Sequence, residues 1–286
     1  MKKYMNHKPI ILDGKRIRDE RRNELSGRVN KLGFSPQLAI FQVGNSRASD
    51  TYIRQKEIFG AFIGVIVNRE ICPDNISTED LLEKIKIQNE DDKVNGIIIQ
   101  LGLPPQIDTF KISQSVDPKK DVDGFSGANL KALLANRKGF VPATTRGIIE
   151  LLDFYSIPIA GKNVCIIGRS ELVGKPTALA FLNRNATVEI CHSKTLNLKD
   201  KTKRADILIS AIGKPRIITS DFVSPGQVVI DVGINRGEDG KLLGDVLYEE
   251  VVNQVGAITP VPGGVGPMTV LSLFENLLDA CETDAL

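Results

Sequence analysis

A chain of 286 residues is long for a single core, so two domains are expected. Apolar residues make up 42% and charged residues 25%, as in ordinary globular proteins, and a net charge of +2 argues against nucleic acid or an anionic membrane as the main partner. No apolar run approaches the roughly 20 residues of a membrane-spanning helix, and MKKYMNHKPIILDG (1–14) holds too little apolar sequence for a signal peptide, which points to a cytoplasmic protein.

From the amino end, LAIFQV (38–43), FIGVIV (62–67) and NGIIIQL (95–101) are short continuous apolar runs that predict strands buried on both faces. Between the first two, TYIRQK (51–56) puts Tyr52 and Lys56 four apart, one turn apart on one face of a helix. STEDLLEKIKIQNE (77–90) opens on a Ser-x-x-Asp capping pattern and repeats apolar residues at helical spacing. Strands alternating with helices imply a parallel sheet covered on both sides. Gln100 falls at the carboxyl end of its strand, where open α/β sheets place ligand contacts. An amide there needs a partner, and an amine such as Lys56 would serve.

KKDVDGF (119–125) places Asp121 and Asp123 before a glycine. A calcium loop is ruled out, because the glycine comes too early and Ala132 stands where the bidentate Glu belongs. On its own the motif also reads as a solvated Asp-Gly turn. KGFVPATTRGIIELL (138–152) runs from a Pro-containing segment into an apolar helix and is the expected joint between domains.

Beyond the joint, NVCIIG (163–168), ATVEI (186–190), ADILISA (205–211) and QVVIDVG (227–233) recur with the beat of βαβ units, which predicts a doubly wound domain. CIIGRSELVGKP (165–176) reads as strand, tight turn and helix. Gly168 allows the turn, Ser170 is small and polar, and Gly174 permits close helix packing. A helix start of this kind suits a phosphate, although Gly-x-Ser-x-x-x-Gly is not the usual dinucleotide fingerprint and a plain strand-to-helix turn is the alternative. The next strand ends in CHSKT (191–195) with no acid at its tip, so Arg169, Ser193 and Lys194 are candidates to hold a 2′-phosphate, which favours NADP over NAD. TPVPGGVGPMT (259–269) is too rich in glycine and proline for regular structure. It is either backbone set close to a flat ligand or an interdomain hinge. GPMTVLSLFENLLDACE (266–282) is an amphipathic helix that fits either half.

Cys72, Cys165, Cys191 and Cys281 are too scattered for a zinc pair and read as thiols in a reducing compartment. With only His7 and His192 present, neither a histidine metal site nor a Ser-His-Asp triad is expected. Lysine, tyrosine or carboxylates then handle protons, or a cofactor carries the chemistry.

Taken together, ILDGK (11–15), TYIRQKE (51–57), GIIIQLGLP (96–104), KDVDGF (120–125), GRSELVGKP (168–176), ATVEICHSKT (186–195), ADILISAIGKP (205–215), IDVGIN (230–235), GDV (244–246) and TPVPGGVGPMT (259–269) resemble, in order and over nearly the whole chain, the bifunctional methylenetetrahydrofolate dehydrogenase/methenyltetrahydrofolate cyclohydrolase (FolD) family. The resemblance implies an α/β protein with a parallel-sheet folate-binding catalytic domain over 1–141, completed by the helix 267–286, and a Rossmann-like NADP-binding domain over 142–266, with the site in a cleft between them. It implies oxidation of 5,10-methylenetetrahydrofolate to the 5,10-methenyl form with NADP, then hydrolysis to 10-formyltetrahydrofolate, within one-carbon metabolism and purine biosynthesis. A chain that retains only the dehydrogenase, or a silent folate- or nucleotide-binding module, is the alternative. The tetrahydrofolate derivatives are the partners implied, with a homodimer formed through the nucleotide domain and no metal.

Carried over residue by residue, Lys56 helps activate water, Tyr52 aligns the folate ring and Gln100 accepts a hydrogen bond from the amine. Asp123 pairs with the pterin's amino edge. Thr144, Gly168, Arg169, Ser170, Ser193 and Ile234 match nucleotide contacts, and Pro262, Gly263, Gly264 and Gly266 fall in the loop beside folate and nicotinamide. Two departures bear on rates and interdomain geometry. Pro142, Ala143, Thr144 and Thr145 stand where the family often has Pro-Cys-Thr-Pro, and Gly102 interrupts the usual LPLP.

Overall fold

The structure, a computed structural model, describes residues 8–45, 47–237 and 239–282. His7 and the start of the segment read against a signal peptide lie outside the described residues. The strands in chain order are β1 (Ile10–Ile11), β2 (Gln37–Val43), β3 (Ile66–Cys72), β4 (Val94–Ile99), β5 (Asn163–Ile167), β6 (Thr187–Cys191), β7 (Ile207–Ser210), β8 (Val228–Asp231), β9 (Asn235–Arg236), β10 (Leu242–Leu243) and β11 (Ala257–Ile258). They form two compact units. One holds Asp19–Ala143 and the described residues from Val270 onward, and the other holds the described residues up to Arg18 and Thr144–Thr269. No helix among the described residues is long and apolar enough to cross a membrane.

The first unit has a parallel sheet ordered β3-β2-β4, and one further parallel bridge joins Ile97 of β4 to Asp121. The continuous apolar runs account for the order: β2 and β4 are buried almost throughout, whereas the edge strand β3 is mostly exposed or half-buried. Phe41, Leu81, Ile85, Ile97 and Ile112 lie together in its core. The helix Thr78–Glu90 supplies Leu81 and Ile85. It begins as its sequence predicts, with Ser77 Oγ accepting from the Asp80 N–H at 3.0 Å and donating to Asp80 Oδ2 at 2.7 Å.

The apolar run 62–67 is not one strand. Phe62 and Ile63 end the helix Arg47–Ile63, Gly64 turns at φ +90°, and β3 starts at Ile66. The Val65 N–H donates to the Gly60 carbonyl at 2.9 Å, the six-to-one bond that closes a helix on a left-handed glycine. The run therefore joins the last apolar turn of a helix to the first residues of a strand.

The second unit has a six-stranded, wholly parallel sheet ordered β1-β11-β8-β7-β5-β6, with an antiparallel ribbon of β9 and β10 beside it. The helices Gly174–Asn183 and Leu198–Arg204 cross from β5 to β6 and from β6 to β7. Cys165, Ile167, Leu208, Val229 and Ile258 form its core. The chain is thus a two-domain α/β protein built on parallel sheets.

Candidate active site

In the first unit the helix Arg47–Ile63 carries Tyr52 and Lys56 one turn apart. Lys56 is buried, and its Nζ donates to Gln100 Oε1 at 3.3 Å. Gln100 directly follows β4, and its N–H donates to the Phe41 carbonyl at 2.9 Å, which carries the sheet ladder one residue further and fixes the amide. Burial lowers the Lys56 ammonium below its ordinary range, and the Asp123 carboxylate opposes this.

Asp121 and Asp123 play different parts. Asp121 is buried, and its carboxylate accepts from the N–H groups of Gly124 at 3.0 Å, Phe125 at 3.2 Å and Ser126 at 2.6 Å and from Asn129 Nδ2 at 2.9 Å. Those four donors fill the oxygens a cation would need, so Asp121 shapes the turn. Asp123 is half-buried, and burial pushes its carboxyl up to about 6, with Lys56 opposing and Asp121 adding to the rise. The unit therefore brings together a lysine with weakened hold on its proton, an amide that fixes it, a phenol on the same helix face and a carboxyl with unused acceptors. No group of three or more His, Cys, Asp or Glu suited to a metal occurs among the described residues.

The sequence did not single out Gln42, Arg69 and Asp50. Gln42 is buried at the end of β2, accepts from Arg69 Nε at 3.0 Å and donates to Asp50 Oδ1 at 3.2 Å. Arg69 also pairs with Asp50, so the first turn of the helix bearing Tyr52 and Lys56 is tied to β2 and β3. A polar residue two places before a glycine at a strand end was the available signal.

In the second unit Gly168, Arg169, Ser170, Ser193 and Ile234 follow the carboxyl ends of β5, β6 and β8, where such sheets bind ligands. Gly168 follows β5 at φ +136°, and a Cβ there would lie 2.4 Å from the Ala211 carbonyl oxygen. A Cβ on Gly174 would lie 2.3 Å from the Gly168 carbonyl oxygen. Both positions exclude any side chain, so the turn presents bare backbone. Ser170 Oγ accepts from the N–H groups of Val173 at 3.2 Å and Gly174 at 3.3 Å, which leaves its hydroxyl proton to donate outward. Arg169, Ser170, Ser193 and Lys194 are exposed, and the turn holding the last two is closed by the His192 N–H on Thr195 Oγ1 at 2.8 Å. Glu189 is paired with Lys201 and supplies no acid to the tip of β6. A bare turn, two exposed cations and two hydroxyls, with Glu189 held by Lys201 and Glu171 by Lys175, fit a dinucleotide bearing an extra phosphate.

Ile234 is 44% exposed beyond β8. Thr144 Oγ1 accepts from Thr269 Oγ1 at 3.2 Å. Pro262, Gly263 and Gly264 follow β11, Gly263 accepts from the Lys15 N–H at 2.9 Å, and a Cβ on Gly14 would lie 2.1 Å from the Gly264 carbonyl oxygen. The ILDGK segment therefore lies against this loop, which also contains Gly266. Ala143 and Thr145, where the family often has cysteine and proline, are both fully buried, and Thr145 Oγ1 sits 3.0 Å from Thr177 Oγ1, so the hydroxyl that replaces the proline ring is satisfied. Gly102 adopts φ +99°, a backbone conformation glycine supplies and leucine or proline does not. A groove of about 390 Å³ lined by Lys162, Lys203, Arg204 and Asp206 opens at the amino ends of these strands, and none of the expected nucleotide residues lines it.

Residues 12–123 match the family model described as tetrahydrofolate dehydrogenase/cyclohydrolase, catalytic domain, and residues 142–285 match the one described as its NAD(P)-binding domain. The bifunctional protein FolD of Bacillus cytotoxicus is 45% identical over 276 residues, 96% of each chain. The crystal structure of the bifunctional enzyme FolD, methylenetetrahydrofolate dehydrogenase/cyclohydrolase, from Campylobacter jejuni has a TM-score of 0.93 at 41% identity and covers 95% of this chain and 98% of that one. The Trypanosoma brucei methylenetetrahydrofolate dehydrogenase-cyclohydrolase, complexed with NADP cofactor and inhibitor, has a TM-score of 0.91 at 32% identity over 96% and 97% of the two chains.

Proposed function

The chain belongs to the tetrahydrofolate dehydrogenase/cyclohydrolase family, and on that premise we propose how its residues divide the work of the two reactions. The enzyme oxidises 5,10-methylenetetrahydrofolate to 5,10-methenyltetrahydrofolate and hydrolyses that cation to 10-formyltetrahydrofolate. When bound, NADP supplies the hydride acceptor. Asp123 holds the pterin's amino edge, because two parallel N–H donors match the two oxygens of a carboxylate. Tyr52 aligns the ring. Lys56 takes the proton of the attacking water at Nζ, and Gln100 Oε1 steers the amine. An ordinary lysine holds its proton too tightly for this near neutral pH, so the burial that lowers Lys56 supports the assignment. Gly168, Ser170, Ser193, Thr144 and Ile234 bind the dinucleotide, Arg169 takes its extra phosphate, and Pro262, Gly263 and Gly264 flank folate and nicotinamide.

The observation that carries this reading is the 3.3 Å contact from Lys56 Nζ to Gln100 Oε1 beside an underused carboxyl on Asp123. One preparation tests it: NADP reduction with methylenetetrahydrofolate, then decay of added methenyltetrahydrofolate. Hydride transfer without accelerated decay would leave a dehydrogenase alone, and failure of both would leave a binding module.

Arg169→Ala is expected to raise the KM for NADP roughly 10- to 100-fold, the loss of one charged contact, and to change that for NAD little. An equal shift for both cofactors in initial-rate assays would overturn the role of Arg169.

The further reading is a cytoplasmic homodimer joined through the nucleotide unit. Cys72, Cys165, Cys191 and Cys281 are free thiols, as suits a reducing compartment. The strand β6 ends its sheet, and Ile190 on it and Leu182 beside it are 39% and 58% exposed, an edge and an apolar surface that a second copy would cover. Sedimentation velocity should give a dimer that Ile190→Lys dissociates. A native monomer would refute it.

A further inference from the structure

Two buried acids stand where the nucleotide loops leave the sheet, and nothing in the proposed chemistry uses them. Asp231 is the last residue of β8, and Asp245 follows the ribbon of β9 and β10. Asp245 is fully buried and Asp231 nearly so. Asp231 Oδ1 accepts from the N–H groups of Gly233 at 2.9 Å and Asp245 at 3.0 Å, and its Oδ2 accepts from the Val246 N–H at 2.9 Å. The lower carboxylate thereby fixes the backbone that bears the upper one.

Asp245 has five donors. Its Oδ2 accepts from Ser210 Oγ at 3.1 Å and from the N–H groups of Ile212 at 2.7 Å and Gly213 at 3.2 Å. Its Oδ1 accepts from the Lys214 N–H at 3.0 Å and from Asn235 Nδ2 at 3.2 Å. One side chain therefore gathers the turn after β7 and the turn after β8. A carboxylate offers acceptors to all five, whereas a carboxamide would aim N–H groups at N–H groups. The packing leaves no slack: a Cβ on Gly233 would lie 2.1 Å from Asp245 Oδ1, and one on Gly244 would lie 1.9 Å from Asp231 Oδ2. Ile234 stands between Gly233, tied to Asp231, and Asn235, tied to Asp245.

We propose that Asp245 is a positioning residue for the dinucleotide, which holds the turns 210–214 and 233–235 in their binding shape and takes no part in the attack of water. The assignment of Ile234 to the nucleotide, on which this rests, comes from the functional reading above. Two carboxylates buried with every oxygen satisfied make a rigid pair of turns, and rigid turns bind a ligand without first having to order themselves.

The test uses Asp245→Asn and the milder Asn235→Ala, which removes one donor and leaves the carboxylate in place. NADP binding is measured by calorimetry without folate, the KM for NADP in the oxidation, and hydrolysis of added methenyltetrahydrofolate on the same preparation. For Asp245→Asn the expected result is NADP binding weakened roughly 10- to 100-fold, the scale of a disrupted charged hydrogen bond, with kcat at saturating NADP and the hydrolysis rate within about twofold of native. Asn235→Ala should move the same quantities in the same direction by about two- to fivefold, the scale of a neutral hydrogen bond. Should Asp245→Asn fail to fold, Asn235→Ala carries the comparison alone. Equal losses of oxidation and hydrolysis would show a structural role only and overturn the proposal, as would unchanged NADP binding in both variants. A native enzyme that binds NADP but transfers no hydride would refute the functional reading instead, with the calorimetry still deciding the role of Asp245.

Discussion

Lys56→Met is expected to slow hydrolysis of methenyltetrahydrofolate by about 10²–10⁴-fold, the range for a lost general acid or base, while measurable hydride transfer to NADP persists. The substitution keeps most of the apolar stem and removes the amine. Oxidation chiefly requires folate and nicotinamide to be held at the right distance. Attack of water also requires a group to accept its proton, and Lys56 is the buried amine beside Gln100 in a chain with two histidines. The methenyl chromophore should therefore accumulate in the mutant without 10-formyl product. Decay at the native rate would show that another group activates the water. Loss of both activities with folate still bound would show that Lys56 serves hydride transfer as well.

Asp123→Ala should weaken folate binding roughly 10- to 100-fold or more, as expected for a charge-assisted bidentate contact, and leave NADP binding intact. The native enzyme should show the same dependence through pH. With its carboxyl at about 6, Asp123 loses its charge as pH falls below that value, so the KM for folate should climb in mild acid, and Asp123→Asn should lack the inflection. Stability runs the other way. The folded chain holds this proton up to about pH 6 and an unfolded chain only to about 3.9, so the stabilisation is complete below about pH 4 and is lost as pH rises through 6. Asp123→Asn should accordingly melt higher than native at pH 7.5 and close to native near pH 4. Normal folate affinity in Asp123→Ala, or inactivation of the native enzyme by a chelator, would defeat the assignment.

The elements that the sequence announced are those whose physics is local. Ser77 and Asp80 cap a helix within four residues, and β2, β4, β5, β7 and β8 are continuous apolar runs because both of their faces are covered. The run 62–67 misled because a helix that ends on a left-handed glycine can pass straight into a strand, and composition does not change at the joint. The two-residue strands β1 and β11 are too short to carry a period. In the candidate site, Tyr52, Lys56 and Gln100 were legible from spacing and strand ends, and the assignment of Asp123 and the loop residues came from family resemblance. The carboxylates of Asp231 and Asp245 were not legible, because most of their partners are backbone amides distant in the chain. An acid at the end of an apolar run such as VVID was the signal, and it resembles any solvated strand end.

The pairing of Ile10 with Ala257 and of Ile11 with Ile258 has a consequence for biogenesis. Within this sheet, the earliest strand to be made is laid beside the last. At ~5–20 residues per second it waits for about 10 to 50 seconds, with its partner edge not yet synthesised. The three-stranded sheet, whose β2, β3 and β4 follow closely in the chain, can close long before then. Assembly of the nucleotide sheet is therefore a late event, completed when β11 meets β1. A fragment restricted to Thr144–Thr269 would leave β11 as a bare edge open to pairing with other chains, and should aggregate unless a peptide spanning residues 8–18 is supplied to cover it.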